Sequence, residues 1–317
     1  MHTDLSADNW SGKMKQKLHR SVLRLKQIPR YKISYLFITP YMLIFFLFSV
    51  LPVLFSLVIS FTSFNMLEPP KFTGTENYVR MFLGDDIFLV ALKNTFLLAV
   101  ITGPVGYILS FGFAWMINEL KPKLRAFVTL VFYAPSISGN VFMIWAIAFS
   151  GDSYGYVNGI MLKLGLIQEP ILFFMDPKYI MNLIIAVSLW VSLGTSFLAF
   201  IAGLQGIDKT YYEAGAVDGI KNRWQELWFI TLPSMKPQLM FGAVMSITAS
   251  FGIGNIVTVL AGFPSTDYAA HTLVNHLEDY GGLRFEMGYA SAIATFLFFI
   301  MITTNIVIKK LISKVGQ

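Results

Sequence analysis

Six long apolar runs divide this chain, at residues 34–61, 90–118, 126–149, 180–204, 238–261 and 285–308. A helix needs about 20 residues to cross about 30 Å of hydrocarbon, so each run predicts one crossing. Helix is the required form, because lipid offers no partner for a free backbone N–H or C=O, and no run shows the alternation of a barrel strand. Pro40, Pro52, Pro104 and Pro135 lie inside or near the ends of three runs and predict kinks that a bundle tolerates. The expected fold class is all-α, a polytopic membrane bundle of six transmembrane helices. Composition agrees: 55% of residues are hydrophobic and only 13% charged, against about 25% charged in soluble domains.

The net charge of +6 does not point to nucleic acid, because the cations collect at the ends of the apolar runs instead of on a soluble face. Lys13, Lys15, Lys17, Arg20, Arg24, Lys26, Arg30 and Lys32 fall on the same side as Lys121, Lys123, Arg125, Lys309, Lys310, Lys314 and the segment between the fourth and fifth runs. Only Lys71, Arg80, Lys93, Lys163, Lys178 and Arg284 fall opposite. The positive-inside rule makes the richer side the cytoplasm, with both termini in it. Two domains are expected, a basic cytosolic segment at 1–33 and a transmembrane domain at 34–317. The leader "KMKQKLHRSVLRLKQ" reads either as an interfacial helix on anionic lipid or as a solvated orientation signal.

Catalytic chemistry finds no foothold. The absence of cysteine removes disulfides, Cys-ligated metals and thiol nucleophiles. His271 and His276 are five residues apart, off a common helix face, and predict an ordinary loop and no metal site. No zinc-protease, serine-elbow or phosphate-loop motif occurs. Acids are nearly absent from the runs, which argues against an ion-coupled secondary transporter. A noncatalytic membrane scaffold stays open as a second alternative.

Between the fourth and fifth runs lies "YYEAGAVDGIKNRWQELWFITLP", at the centre of a loop of about 205–237. Thr210 with Glu213 three residues on predicts a capping box and a helix over 211–217. Asp218-Gly219 ends it, since Gly takes the left-handed conformation that a Cβ penalises. Asn222 with Gln225 starts a second helix, Trp224, Leu227 and Trp228 line one face, and Pro233 breaks or restarts the chain. Two short helices joined by a sharp bend make either a docking knob or an amphipathic loop packed on its own bundle.

Glu213-Ala214-Gly215-Ala216-Val217-Asp218-Gly219 followed by Ile230-Thr231-Leu232-Pro233 resembles the E-A-A-x-x-D-G-A…I-x-L-P loop of permease subunits in ATP-binding-cassette importers. The likeness extends, in the family's order, to "YLFITPYMLIFFLFSVLPVLFSLVISFTSFN", "FTGTENYVRMF", "ALKNTFLLAV" and "FEMGYASAIATFLFF", and is similar to the oligosaccharide and glycerol-phosphate branch that includes the maltose permeases. Gly215 and Ile220 stand where the family has Ala. The resemblance implies the type I importer permease fold, with Glu213, Ala214, Gly215, Asp218 and Gly219 forming the coupling helix that seats in a cytosolic ATPase. It implies a second homologous permease, two cytosolic ATP-binding-cassette subunits carrying ATP and Mg, an external solute-binding protein, a sugar cargo and an inner-membrane location, with no cofactor on this chain.

A sugar path calls for hydroxyls, amides and aromatics on inward faces. Ser188, Ser192 and Thr195, with Trp190 beside them, mark the fourth run; Ser246 and Ser250, with Asn255 beyond, mark the fifth. The resemblance matches Ser188 and Ser192 to sugar-contacting positions, but in the fifth run it points to Met245, Ala249 and Gly252. The competing role for each serine is helix packing or bonding to its own helix.

Overall fold

The computed structural model describes residues 32–139 and 141–312. The leader at 1–31, and with it the choice between an interfacial helix and a solvated signal, lies outside them, as does Lys314. The chain forms two compact units, Met1–Ser56 and Leu57–Gln317. The first unit contributes most of helix α1, Ile33–Ile59. In α1 a five-residue π turn, Phe46–Val50, precedes Pro52 and closes on a Leu51 N–H to Phe46 C=O bond. The wider turn accommodates a ring that cannot donate and that crowds the preceding carbonyl.

In the second unit a short antiparallel pair, β1 Thr62–Ser63 and β2 Lys71–Phe72, leads to α2, Glu76–Leu83. Helix α3, Asp86–Asn118, follows at once. Its 33 residues make it about 50 Å long, so its ends project beyond about 30 Å of hydrocarbon. Next come α4 Pro122–Ile137, α5 Met143–Ala148 and α6 Tyr156–Lys163. The fourth apolar run becomes α7 Pro177–Val191 and α8 Thr195–Gln205. Then come α9 Lys209–Val217, α10 Arg223–Glu226, α11 Lys236–Phe251, α12 Asn255–Ala261, α13 Leu273–Glu278 and α14 Met287–Ile312.

The all-α bundle is as expected, but the count of six crossings is not reproduced exactly. Among the described residues four helical stretches are long and apolar enough to cross a membrane, or five if the pair α11 and α12, bent by 40°, is one broken span. The run at 126–149 is not one helix: α4 ends at Ile137 and helix resumes only at Met143. Pro135, Ser136, Ser138 and Gly139 are poor helix formers, and they interrupt what average hydrophobicity had joined.

Helix α3 is central, packing on α7, α8 and α11, while α8 packs on α11 and α11 on α14. Phe197, Phe200, Met235 and Ile117 fill the core at the C-terminal end of α3; Phe88, Leu273, Tyr289 and Ile293 fill it at the other end. Ile312, the last residue of α14, packs at the first of these ends. The 205–237 segment thus shares one end of the bundle with the C-termini of α3 and α14.

Candidate functional site

The segment after α8 folds as two helices about a sharp bend. Helix α9 starts two residues earlier than expected: Asp208, not Thr210, is the N-cap, its carboxylate accepting from Thr210 N–H at 3.0 Å. At the other end Gly219 has φ +93°. Ile220 N–H bonds Gly215 C=O at 2.9 Å and Gly219 N–H bonds Ala216 C=O at 3.3 Å. That pair is the Schellman closure, which satisfies carbonyls a helix end leaves free. Asn222 caps α10 as expected, accepting from Gln225 N–H at 2.9 Å. Helix runs through Pro233 to Ser234, with a π turn at Leu227–Thr231 before the ring at the same spacing as in α1, and restarts at Lys236 after Met235.

Gly215 is buried, whereas Glu213, Ala214, Asp218 and Gly219 are exposed. A Cβ at 215 would stand 2.6 Å from Ile230 Cδ1 and 3.0 Å from Ile220 Cδ1. A methyl at 215 would therefore press first on Ile230 and then on Ile220, in each case on the flexible end of the side chain. Gly215→Ala alone is expected to lower the protein's thermal midpoint, and Gly215→Ala with Ile230→Val, which removes the nearer methyl, to restore part of it; a double variant no better than the single would refute the crowding. Tyr212 OH meets Thr231 Oγ1 at 3.0 Å across the bend. Arg223 pairs with Glu226 at 2.8 Å and with Glu119 just past α3, while Trp224 packs on Trp115 with ring centroids 5.4 Å apart. Leu227 is buried, but Tyr211, Val217, Trp224, Trp228 and Phe229 leave large apolar surface exposed.

Midway along the bundle, both paired spans break. Helices α7 and α8 part at residues 192–194, and α11 and α12 at 252–254. Irregular backbone at membrane depth persists only where it is covered by protein or faces a cavity, and here it does both. Ser110 Oγ donates to Ser192 C=O at 3.4 Å, Thr272 Oγ1 to Ile253 C=O at 2.8 Å, and Asn275 Nδ2 to Gly254 C=O at 3.3 Å. Between the breaks lies a cavity of about 310 Å³, and Ser188, Ser192, Thr195, Ser246, Ser250 and Asn255 all line it. Met245, Ala249 and Gly252 line it too, so the two fifth-run alternatives share one wall.

Ser192 and Ser250 bond back to Leu189 C=O and Ile247 C=O, at 2.6 and 2.9 Å. Ser188 Oγ is buried with no hydrogen-bond partner among the described residues. Trp190 does not reach the cavity and instead packs edge-on against Trp145 at 5.7 Å. Two steps of about 100° put it on the face of α7 opposite Ser188. Thr102 and Gly106 of α3 also line the cavity and were missed; their spacing of four, which puts them on one face, was the available signal.

At the other end of α3 sits a buried polar cluster that sequence spacing did not reveal. Asp85 caps α3 through Phe88 N–H at 2.9 Å, and its other oxygen accepts from His276 Nε2–H at 3.0 Å, Tyr289 OH at 2.8 Å and Tyr280 OH at 3.3 Å. Burial alone would raise the Asp85 carboxyl, but the hydrogen bonds from His276, Phe88 and Tyr289 hold it well below the usual range. His271, also buried, stacks edge-on with His276 at 5.5 Å. Among the described residues no group of three or more His, Asp or Glu side chains could hold a metal.

Burial, then the neighbouring His276, drives the His271 imidazole from 6.5 down to about 4. Between those values the unfolded chain binds a proton that the folded chain refuses, so stability falls as pH drops through that window and is complete above it. The thermal midpoint is expected to be flat above about pH 6.5 and to decline toward pH 4. His271→Phe should flatten the decline, and an unchanged slope in that variant would exclude His271 as its source.

A family model described as the binding-protein-dependent transport system inner membrane component matches residues 106–317. "Probable ABC transporter permease protein YesP" of Bacillus subtilis (strain 168) is 34% identical over 270 residues, 82% of this chain and 84% of that protein. The lactose transport system permease protein LacF of Rhizobium radiobacter is 35% identical over 216 residues, 67% of this chain and 70% of that one. Among solved structures, a bacterial alginate ABC transporter in complex with an alginate pentasaccharide-bound periplasmic protein contains a chain that superposes with a TM-score of 0.74 at 23% identity, covering 92% of this chain and 98% of that one. With two thirds of its length matched by the family model, the chain belongs to the inner membrane components of binding-protein-dependent transport systems.

Proposed function

We propose that this chain forms half of the membrane pathway of an ATP-driven importer that takes an oligosaccharide from a solute-binding protein. A second homologous permease completes the pathway. Two cytosolic ATP-binding-cassette subunits carry ATP and Mg, and this chain hydrolyses nothing itself. Both termini and the 205–237 segment face the cytoplasm. The observation that carries the reading is the cavity of about 310 Å³ between two helix breaks, with eight hydroxyl or amide side chains in its wall and Ser188 Oγ unpartnered. A neutral polyhydroxylated solute supplies the donors and acceptors such a wall lacks. Among the described residues no acid lines it, in keeping with energy supplied from another chain.

Helix α9 and the bend at Gly219 form the contact with the motor, with Glu213, Ala214 and Asp218 on its exposed face. A lever transmits motion only if it does not melt, and this one is capped at Asp208, closed at Gly219 and cross-tied through Tyr212 and Thr231. Its pull reaches α11 through the π turn at Leu227–Thr231 and α3 through Arg223 and Glu119. Closure of the ATPases then moves both walls of the cavity, and alternating access carries solute across.

The test is reconstitution in vesicles with the paired permease, ATPase and binding protein, scoring uptake across a panel of labelled glycans. ATP-dependent accumulation of at least one oligosaccharide is expected. Accumulation by the purified chain alone, without a nucleotide-hydrolysing partner, would overturn the reading.

A further inference from the structure

Helix α3 passes both breaks along the stretch Gly103-Pro104-Val105-Gly106. A Cβ on Gly106 would lie 3.0 Å from Ser192 Oγ and 3.1 Å from Ser192 Cβ; one on Gly103 would lie 3.2 Å from Ser250 Oγ. Carbon contacts settle at about 3.5–4.0 Å, so a methyl at 106 displaces the whole Ser192 side chain, whereas one at 103, 3.7 Å from Ser250 Cβ, presses only on its hydroxyl. Each serine is already tied on another side, so any shift works against those ties. Ser192 is pinned by its bond to Leu189 C=O and by Ser110 on its own carbonyl, Ser250 by its bond to Ile247 C=O. Both line the cavity, and the unpartnered Ser188 hydroxyl stands one turn before Ser192 in the same wall.

We propose that Gly103 and Gly106 set the width of the translocation cavity and thereby the size of solute it admits. Each glycine is a seat for a hydroxyl side chain beside a helix break, one for the α7–α8 junction and one for the end of α11. A methyl at 106 drives Ser192 into the lumen and narrows it, and one at 103 does so through the Ser250 hydroxyl alone. The solute class, a polyhydroxylated chain, rests on the function proposed above; the width assignment does not.

The absence of cysteine makes a direct test possible, since a single Thr195→Cys on the cavity wall is the sole thiol in the chain. In the assembled transporter in native membranes, that thiol is reacted with a methyl methanethiosulfonate and with a hexose-sized one, with position 106 as Gly or Ala. Gly106→Ala is expected to slow the bulky reagent about tenfold and the small one less than about twofold, the scale of one methylene in a close-fitting pocket. Equal slowing of both reagents, or of neither, overturns the proposal. Gly103→Ala, which meets only the Ser250 side, should give the same ordering if Gly106→Ala does not assemble. Uptake of a disaccharide against a pentasaccharide is measured in parallel without the cysteine. Failure of the unmodified transporter to import either sinks the sugar reading, while the reagent ratio still decides whether the glycines set the width.

Discussion

Gly219→Val is expected to insert and fold normally yet lose transport by about 5- to 150-fold, the equivalent of about 1–3 kcal/mol of backbone strain. The cause is the backbone alone: at φ +93° nothing lies within 4 Å of where a Cβ would stand. A β-branched side chain therefore meets no neighbour, but it disfavours the left-handed conformation, and the two hydrogen bonds that close α9 on Gly215 and Ala216 are lost with it. The substitution series separates this cause from a contact effect. Asn tolerates the conformation best among residues with a Cβ, so activity should fall in the order Gly, Asn, Ala, Val. A contact effect would instead follow side-chain volume and rank Ala above Asn. Co-purification of the ATPase proposed as partner should weaken in the same order, with membrane levels unchanged. Full transport by Gly219→Val would remove the bend from the mechanism.

How much of this was legible depends on how far apart the causes lie along the chain. The bend at Gly219 and the cap at Asn222 are local, made by residues within a few positions of one another, and the sequence displayed them. The first cap was misplaced because Asp208 and Thr210 are both competent, and only the folded geometry lets one carboxylate reach Thr210 N–H. The serines of α7 and α11 were found by their spacing of four, whereas Trp190 was drawn in by proximity in sequence, which on a helix means a different face. Hydropathy averaged across Ser136 to Gly139 and joined two helices into one. Neither the breaks at 192–194 and 252–254 nor their cover could be read, because the carbonyls at the second one are satisfied from another element, by Thr272 and Asn275 at the start of α13, 19 and 21 residues on.

The cluster around Asp85 is the extreme of that distance, since its partners lie 191 to 204 residues away, and it carries the largest stability effect expected. Asp85→Ala removes one acceptor and strands four donors: Phe88 N–H, His276 Nε2–H and the Tyr280 and Tyr289 hydroxyls. Breaking a buried ionic or strongly polar pair costs about 3–5 kcal/mol, and losing the N-cap adds about 1 kcal/mol. Asp85→Asn distinguishes the two parts. Asn caps a helix as well as Asp does, so it keeps the bond to Phe88 N–H, but its amide NH2 places a fourth donor among the three from His276, Tyr280 and Tyr289 and removes the charge that His276 faces. Asp85→Ala should lower the thermal midpoint most and impair accumulation in the membrane, and Asp85→Asn should fall between it and the parent. The loss should be centred on the end of the bundle where α3 begins. Amide exchange should rise in α2, α13 and the first turns of α3 and α14, while α9 and α10, at the opposite end, keep their protection. Uniform loosening of the whole bundle, or an Asp85→Ala variant as stable as the parent, would show that the carboxylate is a passenger in this core and does not fasten it.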